Sequence, residues 1–387
     1  MLLLIACTPE YNQHSFGEGT SPVDTGDIVE QIDTGDTAET ETRSPGIPER
    51  LEQWPDTGAV DTGDTGDTGE PPTVVCPFVL TVDGNEELQA QELLPGGGLG
   101  APIGVGVVGA HPVIGDFDND GDLEALAWVD EQLALLDGDF CAGDVEVEPM
   151  DRDFVPRAAG DLNDDGWLDV AGWTESGQGV VGLGSASGFG WRNVDVSSAL
   201  SHYFSMAAYR MADVTGDGHA DLVIASYDGY AADDTWISVL AGDGSGGLGA
   251  PTSAGGFAEP SNGADLGDLD GDGRTDLIIG LDDDGDAGQI YVLWGTSSGL
   301  GTPTEYLDIQ PTHEDGTNRP GQGTLRLVDV DRDADLDALV LHRPTSDFKT
   351  TTLDRFDNTG GSLGSPQAEL SRDAVGASLT LAVPVSR

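Results

Sequence analysis

Apolar positions along the chain gather in short runs and do not follow a helical period. Leu123 to Val129, Leu168 to Trp173, Leu222 to Ala225, Leu277 to Leu281 and Leu336 to Leu341 are four to seven residues long, partly β-branched, and bounded by Gly and Asp. Runs of that length and make-up predict strands. A second run follows several of them, as in Ile237 to Leu240 and Ile290 to Trp294, so the strands come in pairs. The polar positions are patterned too, because each of the five first runs is preceded by an acidic stretch of nine residues.

These stretches begin at residues 116, 161, 213, 268 and 329 and are called loops 1 to 5. Oxygen side chains stand at position 1 (Asp116, Asp161, Asp213, Asp268, Asp329) and position 3 (Asp118, Asn163, Thr215, Asp270, Asp331). They stand as well at position 5 (Asp120, Asp165, Asp217, Asp272, Asp333) and position 9 (Glu124, Asp169, Asp221, Asp276, Asp337). A hard cation such as Ca²⁺ takes six to eight oxygens at about 2.3–2.6 Å, and a tight turn that points alternate side chains inward supplies them. The residue at position 7 (Asp122, Trp167, His219, Arg274, Asp335) is expected to add its backbone carbonyl. Position 6 is Gly121, Gly166, Gly218 or Gly273, which accepts the sharp bend, and Ala334 in loop 5. An Asp- and Gly-rich turn is commonplace when it occurs once, but five in register point to metal. An EF-hand is excluded, since position 12 would need Glu and holds Ala127, Gly172, Ile224, Ile279 and Val340.

The spacings between loops are 45, 52, 55 and 61 residues, the range of stacked supersecondary units such as four-stranded propeller blades. A second motif keeps the same register: Gly98-Leu-Gly-Ala-Pro102, Gly247-Leu-Gly-Ala-Pro251, Gly299-Leu-Gly-Thr-Pro303 and Ser362-Leu-Gly-Ser-Pro366, with Gly188-Phe-Gly-Trp-Arg192 as a degenerate copy. Loop and turn together resemble the FG-GAP/VCBS repeat family, which includes the propeller of integrin alpha subunits and many bacterial surface and secreted proteins. The resemblance implies an all-β fold, a β-propeller of four-stranded blades over residues 73–387, with the Asp loop between the first and second strands of a blade and about five Ca²⁺ sites. Six blades are expected, with seven the alternative. Strands near Phe78 to Val82, Leu88 to Leu94 and Ile103 to Val108 would share a blade with Ser378 to Val383, which aligns with Thr324 to Asp329. Thr215 makes loop 3 the weakest in charge, and Ala334 puts the geometry of loop 5 in question.

Composition adds the setting. Of 387 residues 57 are Gly, and the net charge of −56, which five Ca²⁺ would reduce to −46, argues against nucleic acid or an anionic membrane face as partner. No apolar run approaches the roughly 18 residues of a transmembrane helix. Residues 1–6 read as the remnant of a lipoprotein signal, since Leu4-Ile5-Ala6-Cys7 resembles a lipobox with Cys7 lipidated. A positive n-region is missing, so the true start is expected upstream. Residues 7–72 carry Cys7 and an Asp-Thr-Gly-rich stretch with little apolar clustering, expected to be a disordered acidic tether spanning about 45 Å. Cys76 and Cys141 remain as an even pair able to form a disulfide outside the cytoplasm.

Two further motifs are set aside. Gly295-Thr-Ser297-Ser-Gly299 fits a nucleophile elbow and Gly244-Ser-Gly246-Gly-Leu-Gly249 a dinucleotide fingerprint, but neither is followed by a helical pattern. No catalytic constellation stands out, because most clustered carboxylates belong to the loops. The expectation is therefore an exported, lipid-anchored calcium-binding propeller at the cell envelope, in the outer membrane or at the cell surface, meeting the membrane only through its lipid. It would act in binding, adhesion or display toward a protein or glycan ligand. The alternatives are a propeller-bearing enzyme, such as a polysaccharide lyase or hydrolase, and a structural spacer.

Overall fold

The five apolar runs become the second strands of five antiparallel sheets, each strand starting at the position-9 carboxylate of its loop. In this computed structural model the described residues are 77–382 apart from 83–86, 95–97, 175, 197–198, 200–207, 229–233, 259–260, 282–288, 309–318, 344–349, 366 and 374–380. They belong to one of the two units into which the chain divides, Arg50–Arg387. The lipobox with Cys7, the acidic tether and Cys76 lie outside the described residues.

Sheet 1 holds β1 (Phe78–Val82), β2 (Glu87–Glu92) and β3 (Ile103–Val108). Sheet 2 is β4 (Ala110–Gly115), β5 (Glu124–Val129), β6 (Gln132–Asp139) and β7 (Asp144–Pro149). Sheet 3 is β8 (Val155–Gly160), β9 (Asp169–Trp173), β10 (Gly179–Leu183) and β11 (Gly190–Val194). Sheet 4 is β12 (Ala208–Ala212), β13 (Asp221–Asp228), β14 (Asp234–Leu240) and β15 (Thr252–Phe257). Sheet 5 takes β16 (Ser261–Gly267), β17 (Asp276–Leu281), β18 (Gln289–Leu293) and β21 (Thr304–Asp308), while β19 (Gly295–Thr296) and β20 (Gly299–Leu300) make a small hairpin in its turn. Sheet 6 is β22 (Arg319–Val328), β23 (Asp337–Arg343), β24 (Thr350–Phe356) and β25 (Gln367–Asp373). The last strand, β26 (Leu381–Ala382), returns to sheet 1 and pairs antiparallel with β1, Ala382 opposite Leu80 and Leu381 opposite Thr81.

The first strands of the sheets touch in a closed cycle: β4 meets β8, then β12, β16, β22 and β26, and β26 meets β4. Each sheet thus presents both faces to neighbours, which is the β-propeller arrangement. The apolar core divides accordingly into six clusters, one between each pair of successive sheets. Strands buried on both faces need apolar residues at consecutive positions, which is why the runs Ala125 to Ala127, Val170 to Ala171 and Leu277 to Ile279 do not alternate with polar residues.

Candidate metal loops and the turns that hold them

Each loop closes through bonds from its own backbone to its own side chains. In loops 2 to 5 the position-1 carboxylate accepts the N–H of position 6 (Gly166, Gly218, Gly273, Ala334) at 2.8–3.1 Å. The position-5 carboxylate accepts the N–H of position 7 in all five, at 2.9–3.0 Å. Where position 3 is Asp or Asn, its oxygen accepts the position-5 N–H, at 3.1–3.2 Å. Thr215 breaks that ladder: its Oγ1 is buried without a hydrogen-bond partner among the described residues, and the position-4 N–H of Gly216 bonds to Asp213.

This winding needs left-handed backbone at two positions. Position 6 has φ of 78° to 100°, and position 4 (Asn119, Asp164, Gly216, Gly271, Arg332) has φ of 56° to 76°. Gly, Asn and Asp tolerate that region, but Arg332 and Ala334 do not, so loop 5 keeps the common geometry under strain at both positions. Around the position-6 glycines a Cβ would meet nothing within 4 Å, so torsion alone selects glycine there and Ala334 has room.

Position 9 plays a different part from the other ligand positions. Its five carboxylates are at most 2% exposed, and one oxygen of each accepts the N–H of position 2 (Phe117, Leu162, Val214, Leu269, Val330) at 2.7–3.0 Å. In loops 2 to 5 the other oxygen accepts a second N–H from just beyond the third strand, from Gly184, Gly242, Gly295 or Asn358, at 2.6–2.9 Å. The three glycines are required by that approach, since a Cβ would lie 2.0–2.6 Å from a backbone carbonyl oxygen. Burial pushes Glu124 up to about 9 against its bond from Phe117, with Asp118, Asp116 and Asp120 pushing the same way. Burial likewise raises Asp169 to about 7 against the bonds from Gly184 and Leu162, and raises Asp276 and Asp337.

Position 2 explains why loop and turn recur together. Its side chain, at most 3% exposed, shares an apolar cluster with the turn of the next sheet: Phe117 with Phe189, Leu162 with Leu248, Val214 with Leu300, Leu269 with Leu363, and Val330 with Leu99. The Phe117 and Phe189 rings meet edge-on at 6.2 Å, so the degenerate copy seats as the others do. Polar bonds cross some of the same contacts, Gly246 N–H to the Leu162 carbonyl at 3.1 Å and Asn358 Nδ2 to the Leu269 carbonyl at 2.9 Å. Arg332 Nη2 reaches the Leu93 carbonyl at 3.2 Å.

Carboxylate oxygens come within 4.8 Å of one another as Asp116, Asp118 and Glu124 in loop 1, as Asp268, Asp270 and Asp276 in loop 4, and as Asp329, Asp331 and Asp333 in loop 5. Oxygens across a Ca²⁺ are at most about 5 Å apart, so these sets fit a hard divalent cation. Asn163 and Thr215 leave loops 2 and 3 with fewer carboxylates, and Asp120 and Asp272 stand outside the clusters of loops 1 and 4. His219, at position 7, places its Nδ1 2.6 Å from Asp164 of loop 2, joining neighbouring loops. Two carboxylates escaped the sequence pattern. Asp357, beyond β24, joins Asp331 and Asp337, and Asp137 on β6 is raised chiefly by burial and then by Asp120. Asp137 lies on a third strand and Asp357 just past one, each more than a dozen residues from its loop, and no local motif marks them.

The family described as FG-GAP-like repeat matches residues 213–279 and 268–340, which hold loops 3, 4 and 5. These segments are FG-GAP repeats. Loops 1 and 2 repeat the same bonds outside the matched stretch. No curated protein matches the chain. Among solved structures, an Agrocybe aegerita lectin that recognises non-reducing terminal N-acetylglucosamine is similar at 15% identity, over 76% of this chain and 80% of that one, with a TM-score of 0.44. AofleA from Arthrobotrys oligospora is similar at 9% identity, over 81% and 91%, with a TM-score of 0.44. A periplasmic gluconolactonase of Pseudomonas aeruginosa is similar at 13% identity, over 79% and 98%, with a TM-score of 0.43. Within the FG-GAP repeats Ser297 lies between β19 and β20, in a hairpin turn, so the elbow pattern is the repeat's own turn.

Proposed function

We propose that this FG-GAP propeller is a calcium-stabilised binding module, exported, anchored by lipid at Cys7, and held off the cell envelope by its acidic tether. The observation that carries the reading is the gathering of oxygen-only ligands in loops 1, 4 and 5, three carboxylates to a cluster, with a buried one in two of the three. Bound Ca²⁺ would supply the positive charge that offsets their repulsion and burial. The loops tie neighbouring sheets together, so the cation stiffens the scaffold and leaves other surfaces to meet a protein or glycan ligand.

Calorimetry of the full chain with calcium and with chelator tests the reading. Binding to the folded state adds about 2.7 kcal/mol per site when free calcium is 100-fold above Kd, so chelation should lower Tm by many degrees. A Tm indifferent to chelator overturns the cation's role, and a calcium-dependent turnover traced to one loop would replace the binding module with an enzyme. Membrane fractionation tests the anchor, since Cys7→Ser should release the protein.

A further inference from the structure

Between sheets 3 and 4 the structure opens a cleft of about 400 Å³, within the roughly 300–1,000 Å³ of small-molecule sites. One wall is the end of β11, with Arg192, Asn193 and Asp195, and the other is the Gly-rich turn that carries Leu248 and Pro251. Val194 and Leu248 belong to the apolar cluster of this junction, so the floor is firm. Arg192 Nη1 reaches across to the Ser245 carbonyl at 3.4 Å, one bond of the five its guanidinium can donate.

The same junction carries an exposed aromatic ring. Trp236 on β14 is 51% exposed, and strand alternation puts it on the face of Leu240, which packs into this junction's cluster. Trp236 pairs with Ser226, five residues beyond Asp221. The residue five beyond Asp169 is Thr174, whose N–H bonds to the Gln178 carbonyl, and Gln178 Nε2 bonds to the Val194 carbonyl at 3.1 Å. Across β15 Trp236 pairs with Gly256, five residues from Pro251, so the ring stands farther along the junction, outside the cleft's lining.

We propose that this cleft binds the end of an uncharged saccharide, a reading that rests on the binding module proposed above and names its ligand. A sugar ring has a rim of hydroxyls and faces of C–H. Arg192 donates to the rim and Asp195 accepts from it, Asn193 does both, and Leu248 and Pro251 receive a face. Sugar acids are disfavoured, because the net charge of −56 repels anionic polymers. An extended peptide would instead seek a free strand edge, which every sheet offers without these side chains.

The test uses the full chain on a printed array of uncharged and acidic oligosaccharides, followed by titration of the best uncharged binder against Trp fluorescence. Arg192→Ala and Asp195→Ala should each weaken binding about 10-fold or more, the loss of a hydrogen bond to a charged group. Trp236→Ala, outside the cleft's lining, should leave the affinity unchanged. All three side chains are exposed, so Tm should hold, and Arg192→Lys and Asp195→Asn serve if an alanine variant misfolds. Uncharged saccharide bound equally by the wild type and the Arg192 and Asp195 variants overturns the cleft while leaving the binding module standing. Binding of peptides or acidic sugars only, or no saccharide binding by the wild type, overturns the ligand class.

Discussion

Five of the six junctions between sheets are built alike, and the sixth is not. At the five, a loop folds over the junction and its position-2 residue shares an apolar cluster with the next sheet's turn. At the junction of sheets 1 and 2 the described residues include no such loop, and the first strand of sheet 1, β26, meets β1 by pairing and not through a hairpin. The turn of sheet 2 lacks the Gly-Leu-Gly motif, and Phe140 takes its place, stacked on Phe78 of β1 with centroids 4.1 Å apart and planes 16° apart. Cys141, the next residue, is disulfide-bonded and packs against the same cluster, while the other two cysteines, Cys7 and Cys76, lie outside the described residues. At this junction, closed by strand pairing, aromatic area and a cross-link do the packing. The five junctions should therefore answer to calcium, those of loops 1, 2, 4 and 5 to pH as well, and the sixth to neither.

The largest effect should come from pH in the absence of metal. Glu124 and Asp169 have folded pKa values of about 9 and about 7, above the unfolded 4.5 and 3.8. Groups raised in this way add stability that is complete below the unfolded value and is lost as pH rises through the folded one. Chelated protein should thus melt markedly lower at pH 8.5 than at pH 5, and saturating calcium should flatten or reverse the trend. A chelated protein with the same Tm at both pH values would show that the loops are not electrostatically loaded.

Phe140→Ala should come next, at about 3–5 kcal/mol, as a fully buried aromatic is replaced by a cavity. The comparison is sharpened by its calcium dependence, for the loss should be the same with and without chelator. A loss that grew or vanished with calcium would mean that the sixth junction is coupled to the loops.

Within a loop, Asp276→Asn and Asp270→Asn separate two duties. Asp276 accepts N–H bonds on both oxygens, from Leu269 and Gly295, and an amide can accept on only one side. Leaving a buried N–H facing an NH₂ costs about 1–3 kcal/mol, with or without calcium. Asp270 is exposed, and Asn there can keep the bond from Asp272 N–H, as Asn163 keeps its own in loop 2. Its loss should appear only when calcium is present. Equal losses in chelator would refute the division between strut and ligand.

The strands and loops were legible because they are local: a run of four to seven apolar residues after Asp-x-Asp-x-Asp-Gly needs no knowledge of its neighbours. The turn motif was legible as a repeat, but its purpose was not, because Leu248 shares a cluster with Leu162 across 86 residues of chain and no pattern pairs them. Position 4 could have been read, since Asn119, Asp164, Gly216 and Gly271 are the residue types that accept left-handed backbone. Phe140 could not, for a lone aromatic beside Cys141 carries no register until Phe78 is folded against it. Asp137 and Asp357 fall in the same class, supplied to loops 1 and 5 by strands that close the hairpin from the other side.

Loop 5 offers the smallest effect and the finest test of the loops' common geometry. Ala334 holds φ at 78° where the other four loops have glycine at 82° to 100°, and a Cβ at those glycines meets nothing within 4 Å. The penalty is then torsional alone, about 1–2 kcal/mol for left-handed backbone, and Ala334→Gly removes it while adding roughly 0.5–1 kcal/mol of chain entropy to the unfolded state. A net gain of up to about 1.5 kcal/mol should raise Tm by no more than about 3–6 °C. Arg332→Gly relieves similar strain at position 4 but gives up the bond from Nη2 to the Leu93 carbonyl, which links loop 5 to sheet 1 next to the sixth junction. It should yield no gain, or a loss. Stabilisation by Arg332→Gly as large as by Ala334→Gly would mean that this link contributes nothing, and that loop 5 is held by its hydrophobic contacts with Leu93 and Leu99 alone.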